Sequence, residues 1–346
     1  MTYPAPGTLK WGDLDYNLRC DQINLKWIAN DKRPGDWHIA GFMEGAEGAV
    51  ATGPIRGLVH VPFKGIWHEP AYGPPRYERK VDERREVSMR IALMSDSKFG
   101  WFDTESRWWD GMDGENPGYL SVFTHRYGEL YIPMQLLEAS ETPLENDPTD
   151  GDYNCQEWDI LLAADGDPRW RQPDLRPPDW VYKPGTATRM IKRDDELLSP
   201  EIEVGIGKFK VANRGTEPSW PIYTVSAPGR CWLPNGDNAE GGMIRIPRLF
   251  PGEHVVIDTN PEHRIAISDK DPKPTFLSET IGNSELLRRL FSDVAESGET
   301  ILERFHGQGF SRPIAPNTLA TLPVFHSELN ARISVRLPQR FERAIS

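Results

Sequence analysis

The sequence predicts a mainly β protein, with an N-terminal β domain followed by an antiparallel β-sandwich that carries one short helix. Short runs rich in β-branched and aromatic residues recur along most of the chain, and clusters of turn residues separate them. The 346 residues include 30 glycines and 31 prolines, which favour many turns between short strands. A single clear helical repeat, which starts at Asn283, adds the helix.

The N-terminal β domain is predicted to cover residues 1–175, where helical periodicity is nearly absent. In the run 87–93, the apolar residues Val87, Met89 and Ile91 alternate with polar or small ones, as expected of a half-buried strand. Further strands are predicted at 58–61, 118–122 and 130–132.

A stretch rich in proline and aromatic residues interrupts these strands. It runs from Trp67 through Tyr72 to Tyr77, and its length and composition do not suit a tight hairpin. We interpret it as a projecting arm or long loop near residues 67–85.

The segment 176–200 is predicted to link the two domains. Prolines recur in it among charged residues, and proline cannot donate a hydrogen bond to a sheet ladder. This composition favours an extended linker.

The second domain is predicted to cover residues 201–346. Strand-like runs recur in it at intervals of about 9 to 14 residues, a spacing typical of an antiparallel sandwich or barrel. Their centres are Phe209, Tyr223, Trp232, Arg245, Val256 and Ile265. The alternating run 331–337 predicts one more strand near the end of the chain.

A helix is predicted within the second domain, over residues 283–305. Asn283 suits the N-cap position, and Leu286, Leu290 and Val294 recur at helical spacing. A Ser-Gly pair at 297–298 ends or kinks the helix, so the pattern is clearest from Asn283 to Val294.

Composition argues against several classes of function. Forty basic and 52 acidic side chains give a net charge of −12, so the surface would on average repel nucleic-acid phosphates, and no sequence-specific nucleic-acid partner is expected. No apolar stretch approaches the roughly 18 residues of a membrane span. The N-terminus lacks a secretory signal pattern, and Cys20, Cys155 and Cys231 are widely spaced. Synthesis in a reducing cytoplasm is expected.

The motifs predict no catalytic, cofactor or metal site, and we expect no enzyme activity. The sequence contains no nucleophile elbow, no Walker A motif and no dinucleotide-binding strand–turn–helix pattern. The eight histidines do not fall at metal-ligand spacings. The acidic loops at 110–115 and 147–152 are interpreted as solvated turns, with a calcium site as the alternative. A glycosidase would need two facing carboxylates, and 52 acidic residues leave that pair unidentified.

Aromatic residues are the remaining candidates for a binding site. Twelve tryptophans is a large number for a chain of this length. Such side chains fill cores, form subunit contacts or stack on sugar rings. The candidates for an interface or a carbohydrate platform are Trp67, Tyr72, Trp108, Trp109 and Trp232.

Several segments in order resemble one family of phage proteins. The run 209–225 carries an N-x-G turn and a Trp-Pro step, and the run 249–259 follows with Gly-Glu and then Ile-Asp-Thr. Together with 244–246, this part resembles the galectin-like half of the siphophage distal tail (Dit-like) family. The segment 158–170 looks like the closing strand of that family's N-terminal belt domain. The runs 322–324 and 335–341 resemble the ends of actinobacteriophage minor tail proteins.

The resemblance implies a belt-type β domain at 1–175 and a galectin-like sandwich at 201–346. It implies a homohexameric ring at the virion tail tip, made in the host cytoplasm, which joins the tail tube to the tail-tip hub of a long non-contractile tail. The expected partners are the tail tube protein, the tape measure protein, the hub and other minor tail proteins. An alternative function is a carbohydrate-binding receptor-recognition module that contacts a host cell-wall glycan.

Overall fold

The fold is mainly β, as predicted. The computed structural model describes residues 23–29, 35–70, 72–112, 114–138, 140, 147–149, 154–192, 200–226, 228–249, 251–261, 263, 266–269, 299–300 and 309–345. These residues form 21 strands and one α-helix, and the strands pair antiparallel. They fall into two compact units, one built from residues 1–172 with 341–346 and the other from residues 173–340.

The first unit is built on one antiparallel sheet, in which the strands follow the order β2-β1-β7-β8-β9-β6-β3 and β10 also pairs with β8. Its strands are β1 (Asn24–Ile28), β2 (Asp36–Ala40), β3 (Ala49–Ala51), β4 (Phe63–His68), β5 (Arg76–Asp82), β6 (Glu86–Ser95), β7 (Gly118–Thr124), β8 (Gly128–Leu136) and β9 (Asn154–Ala164), and β10 (Trp170–Leu175) starts in it. The strands predicted at 87–93, 118–122 and 130–132 are confirmed.

The predicted strand at 58–61 is wrong, because this segment pairs with none of the described strands and the Leu58 carbonyl binds side chains instead. The guanidinium of the buried Arg85 donates to the carbonyls of Gly57 (2.9 Å) and Leu58 (2.8 Å). The Trp170 indole also donates to the Leu58 carbonyl, at 3.2 Å. Leu58 is nevertheless buried, so its apolar character reflects packing.

A helix that the sequence analysis missed, α1 (Lys98–Asp110), lies in the first unit. Ser97 caps it by accepting a hydrogen bond from the Gly100 backbone N–H at 3.1 Å. Trp101, Thr104 and Trp108 recur at helical spacing on its buried side. The exposed Phe99 precedes these residues and the exposed Phe102 lies between them, so the apolar periodicity is weak in the sequence.

The second unit is an antiparallel sandwich. One sheet has the order β12-β13-β20-β15-β16, and the other has the order β19-β18-β17-β14-β21, with β11 also paired to β21. Residues from both sheets share one core, for example Leu322 of β20 and Tyr223 of β14. Its strands are β11 (Trp180–Val181), β12 (Thr188–Lys192), β13 (Glu201–Asn213), β14 (Ile222–Ser226), β15 (Gly229–Pro234), β16 (Met243–Leu249), β17 (His254–Asp258), β18 (Ala266–Asp269), β19 (Glu299–Thr300), β20 (Thr318–His326) and β21 (Arg332–Phe341).

Five of the six predicted strand centres in this unit lie within strands, and the sixth, Ile265, lies outside the described residues. The segment 176–200, predicted as a linker, supplies β11 and β12 to the sandwich. Its prolines lie outside these two strands, so every residue of both strands keeps its backbone N–H for pairing. Most of the predicted helix at 283–305, including Asn283 and Val294, lies outside the described residues. Its two described residues, Glu299–Thr300, are not helical, since they pair with β18.

Candidate interaction surface

Exposed aromatic side chains concentrate on one hairpin of the first unit. Thirteen large hydrophobic residues are exposed in the described part of the chain. Five of them belong to the β4–β5 hairpin, namely Phe63, Trp67, Tyr72, Tyr77 and Val81. Single exposed hydrophobic residues are ordinary, but a cluster marks a contact surface.

The hairpin forms because β4 and β5 pair along their full length, from Phe63 with Asp82 to His68 with Arg76. Among the described strands, the two pair only with each other. The stretch interpreted as an arm or long loop is therefore a hairpin whose strands are joined by residues 69–75. The length and composition of 67–77 argued only against a tight hairpin, and this long connection is consistent with that.

The aromatic rings of the hairpin lie on one face. The rings of Trp67 and Tyr77 meet edge to face, with centroids 5.4 Å apart. Gly65 leaves room for both, since a Cβ there would lie 3.2 Å from Trp67 Nε1 and 3.5 Å from Tyr77 Cε2. The Lys80 ammonium lies 4.9 Å from the Phe63 ring centroid. We call Phe63, Trp67 and Tyr77 the hairpin face.

The base of the hairpin is held by charges and backbone contacts. Asp82 forms an ion pair with Arg169, and Lys80 Nζ lies 3.5 Å from Glu342 Oε1. The Glu83 N–H donates to the Pro62 carbonyl at 2.9 Å. The hairpin is thus fixed where it leaves the unit, while Tyr72 in its connection is 95% exposed.

The outer side of α1 carries a second aromatic patch. Phe99 is 89% exposed and Phe102 is 54% exposed. Beside them, Asp103 and Arg107 form an exposed i, i+4 ion pair at 3.8 Å. We call Phe99 and Phe102 the helix face.

The five aromatic candidates that the sequence predicted do not lie on one surface in the structure. Trp67 and Tyr72 share the exposed hairpin. Trp108 is fully buried against Trp37, with ring centroids 5.2 Å apart, and its neighbour Trp109 is half-buried against Trp158. Trp232 of β15 is 7% exposed. The buried rings of Trp108 and Trp232 have no face open to a ligand in this structure.

Sequence reasoning did not single out Phe63, Tyr77, Phe99 or Phe102. The available signals were the alternation of Phe63, Gly65 and Trp67, and the i, i+3 spacing of Phe99 and Phe102.

A groove of about 800 Å³ lies between the segment at 52–56 and the outer side of β6 and β9. Part of its charge is paired, since Arg90 Nε donates to Asp159 Oδ1 at 2.9 Å and Glu157 lies 3.9 Å from the same guanidinium, while Arg56 and Glu138 also line the groove. The bond to Asp159 raises the pKa of Arg90.

The strongly shifted titratable groups of the second unit lie in its core. Burial lowers the pKa of His326 to about 4, and it raises the pKa values of Tyr223 and Cys231. All three groups are therefore neutral at pH 7.

Across the residues that the structure describes, no three His, Cys, Asp or Glu side chains are grouped as metal ligands. Those residues also hold no helix with the length and apolar character that crossing a membrane requires.

Comparison with known proteins shows similarity in structure and none in sequence. No family model and no curated protein matches the sequence. The chain is similar to SPP1 Dit, a paradigm of the hub adsorption apparatus in phages that infect Gram-positive bacteria. The TM-score is 0.51 at 9% identity, over 92% of this chain and 99% of that chain. Chains of the phage P2 baseplate in its activated conformation give TM-scores of 0.48 and 0.47 at 8% and 7% identity. They cover 92% and 91% of this chain and 98% of each of those chains.

The likeness to SPP1 Dit shows that the chain has a Dit-like fold. The resemblance drawn from the sequence segments is confirmed at the level of the fold.

Proposed function

We propose that this chain is a distal tail adaptor of a phage with a long non-contractile tail. In this role it forms a ring at the virion tail tip and joins the tail tube to the tail-tip hub. The observation that carries the proposal is the structural match to SPP1 Dit, which extends over 92% of this chain and 99% of that chain. A match over nearly the whole of both chains includes residues of both units and is not limited to one common motif.

The ring is proposed to be a homohexamer, with the first unit as the belt-type domain and the second as the galectin-like domain. Copies that contact one another through two different surfaces form a ring when the rotation between them closes. The hairpin and α1 supply two different exposed surfaces on the first unit. The proposed partners are the tail tube protein, the tape measure protein, the hub and other minor tail proteins.

The proposed role is structural and not enzymatic. In the groove beside β6 and β9, Arg90 pairs with Asp159 and Glu157, and His326, Tyr223 and Cys231 are buried in the sandwich. The exposed features are aromatic surfaces, which suit contacts between proteins.

Immunogold electron microscopy tests the role directly. Antibodies raised against residues 173–340 would be applied to intact particles of the phage that encodes this chain. We expect gold at the distal end of the tail, where tube and hub meet. Labelling of the capsid, or along the whole tube, would contradict the proposal. A serum depleted on the purified chain is the control.

One observation favours a second function, the binding of a host cell-wall glycan. Trp67 is 59% exposed beside Tyr77, and an open indole face suits stacking on a sugar ring. A glycan array probed with the full chain and with Trp67→Ala tests this function. Binding that the substitution abolishes would support it, and an array without signal would reject it.

A further inference from the structure

We propose that the groove beside β6 and β9 binds a short neutral saccharide of the host cell wall. The inference rests on the second function proposed above and deepens it, because it gives glycan binding a site on the first unit apart from Trp67. The juxtaposed groups are Arg56, Arg90, Glu138 and Glu157, which all line the groove. Its volume of about 800 Å³ lies within the roughly 300–1,000 Å³ that is typical of small-ligand sites.

The groove has a floor of two strands, β6 and β9, and a wall on either side. On one side, the Arg56 N–H donates to the β6 carbonyl of Ser88 at 2.9 Å. On the other side, the Leu137 N–H donates to the β9 carbonyl of Leu161 at 2.9 Å, next to Glu138. Backbone hydrogen bonds therefore hold Arg56 and Glu138 on opposite walls.

The charges of the groove favour a neutral ligand. The lining holds two guanidinium groups and three carboxylates, a net charge of −1. An anion would lie against the carboxylates and a cation against the guanidinium groups, and like charges at close range disfavour binding. A neutral ligand avoids both contacts.

The unfilled hydrogen-bonding capacity of the lining favours hydroxyl groups. Arg90 donates to Asp159 through Nε at 2.9 Å and Nη2 at 3.2 Å, while its Nη1 lies 3.9 Å from Glu157, too far for a hydrogen bond. Among the described residues, Arg56 and Glu138 form no ion pair. Donors thus lie beside acceptors. A hydroxyl group both donates and accepts, and its hydrogen rotates to suit the partner, so adjacent sugar hydroxyls can bind both kinds of group.

Apolar side chains complete the lining. Pro54 lies on one wall and Leu161 on the floor. Ligand sites typically combine apolar surface with a few polar groups that fix the orientation. The C–H groups of a sugar ring fit the apolar part, while its hydroxyls face the charged groups.

A glycan array probed with the full chain, followed by calorimetric titration of the neutral glycan that gives the strongest signal, tests the inference. Arg56→Ala and Glu138→Ala should each weaken binding at least about 10-fold, since each removes a hydrogen bond to a charged group. Both side chains are exposed, so the fold should tolerate the changes. Arg84→Ala is the matched control, because Arg84 is also exposed and pairs with Glu86 outside the groove lining. It should bind like the wild type.

The salt dependence of binding separates a neutral ligand from a charged one. The affinity of the wild-type chain should change less than about twofold between about 0.05 and 0.5 M NaCl, since screening acts on interactions between charges. A larger fall would indicate an ionic partner, such as a charged peptide, and would overturn the inference.

Sedimentation with cell walls from the host of the phage that encodes this chain tests the source of the saccharide. The walls should carry down the wild-type chain and less of either groove variant. Walls that leave the wild-type chain in solution would overturn the inference.

The outcomes distinguish this inference from the proposed functions. An array without a bound neutral glycan would overturn it. Binding that Trp67→Ala abolishes and both groove variants retain would also overturn it, while glycan binding as such would stand. The adaptor role depends on none of these results, because immunogold labelling of the tail decides it.

Discussion

Arg85 organises its surroundings through a single guanidinium. It is fully buried, and it donates to the carbonyls of Gly57, Leu58 and Pro168 at 2.7 to 2.9 Å. It also lies over the Trp170 ring, 5.4 Å from the centroid. Burial lowers its pKa to about 10, so the group stays charged at neutral pH.

Replacing Arg85 with Met should destabilise the first unit by about 2–3 kcal/mol, because the carbonyls of Gly57, Leu58 and Pro168 would each lose a charged donor, and a hydrogen bond to a charged group contributes about 1.5–3 kcal/mol where it is buried. Urea unfolding followed by tryptophan fluorescence measures the change. Arg84→Ala is the control, since Arg84 is exposed in a surface pair with Glu86. It should change the free energy of unfolding by less than about 1 kcal/mol. An equal, small effect of both substitutions would contradict this role of Arg85.

His326 makes the second unit sensitive to acid. Its side chain is buried, its Nδ1 accepts a hydrogen bond from the Glu328 N–H at 3.1 Å, and burial lowers its pKa from 6.5 to about 4. The unfolded chain therefore binds more protons between these two pH values, and the free energy of unfolding falls as the pH drops from about 6.5 to 4. The full effect is about 3 kcal/mol.

The change His326→Asn should remove this part of the pH dependence. Asn can still accept the bond from Glu328 but does not titrate. Denaturant unfolding at a series of pH values should give a flatter curve for the variant between pH 6.5 and 4, even where the variant is less stable overall. Parallel curves for variant and wild type would rule out His326 as the source.

Among the elements, β11 and β13 show how two glycines position two aromatic rings. Trp180 and Tyr182 stack with ring planes 10° apart and centroids 6.1 Å apart. They lie over Gly207 and Gly205, where an added Cβ would come within 2.5 Å of the Trp180 ring and 2.4 Å of the Tyr182 ring. Gly205 and Gly207 have no side chains and thus leave space above β13 for the two rings.

A side chain introduced at Gly207 should destabilise the sandwich. Gly207→Ala pushes the Trp180 ring away, and overpacking of this kind costs about 1–3 kcal/mol. Thermal unfolding compares it with Gly309→Ala, where no atom of the described residues beyond the chain neighbours lies within 4 Å of the new Cβ. A variant at Gly207 as stable as the one at Gly309 would contradict the packing.

Most elements could be predicted because alternation along a half-buried strand is a local property. In β6 and β21, side chains point alternately to the core, and the sequence shows it directly. Helix α1 was missed because its exposed side carries Phe99 and Phe102. In a half-buried helix, large apolar residues are expected on the buried side alone, so these two hide the pattern. The segment at 58–61 was misassigned because Arg85, which is distant in sequence, binds the Leu58 carbonyl.

The candidate surface could be predicted only in part. Trp67 and Tyr72 stood out as aromatic residues in a proline-rich stretch, and both are exposed. Trp108 looked equivalent but is buried against Trp37. Whether an aromatic side chain faces the core or the solvent depends on distant packing partners, which the local sequence does not contain.

At the scale of the whole molecule, the second unit is an insertion in the first. Residues 341–346 belong to the first unit, in which Phe341 and Ala344 are buried. The Phe341 ring packs against Tyr127, with centroids 5.1 Å apart, and the Tyr127 carbonyl accepts a hydrogen bond from Gln172. Both points at which the chain crosses between the units therefore lie beside Tyr127.

Fragments of the chain test this arrangement. Residues 173–340 alone should unfold cooperatively, while residues 1–172 alone should be weakened by roughly 3–5 kcal/mol, as when a buried aromatic residue is lost. Joining 1–172 to 341–346 through a short Gly-Ser linker should restore the lost stability. Equal stability of the first unit with and without 341–346, in urea unfolding, would contradict the arrangement.

The central claim is that copies of this chain form a ring between the tail tube and the hub. Cryo-electron microscopy of the distal tail end, on particles of the phage that encodes the chain, tests it most directly. We predict one ring of six copies at that junction, built through the first unit. A reconstruction that shows the junction without this chain, or shows single copies on the outside of the tail, would contradict the claim.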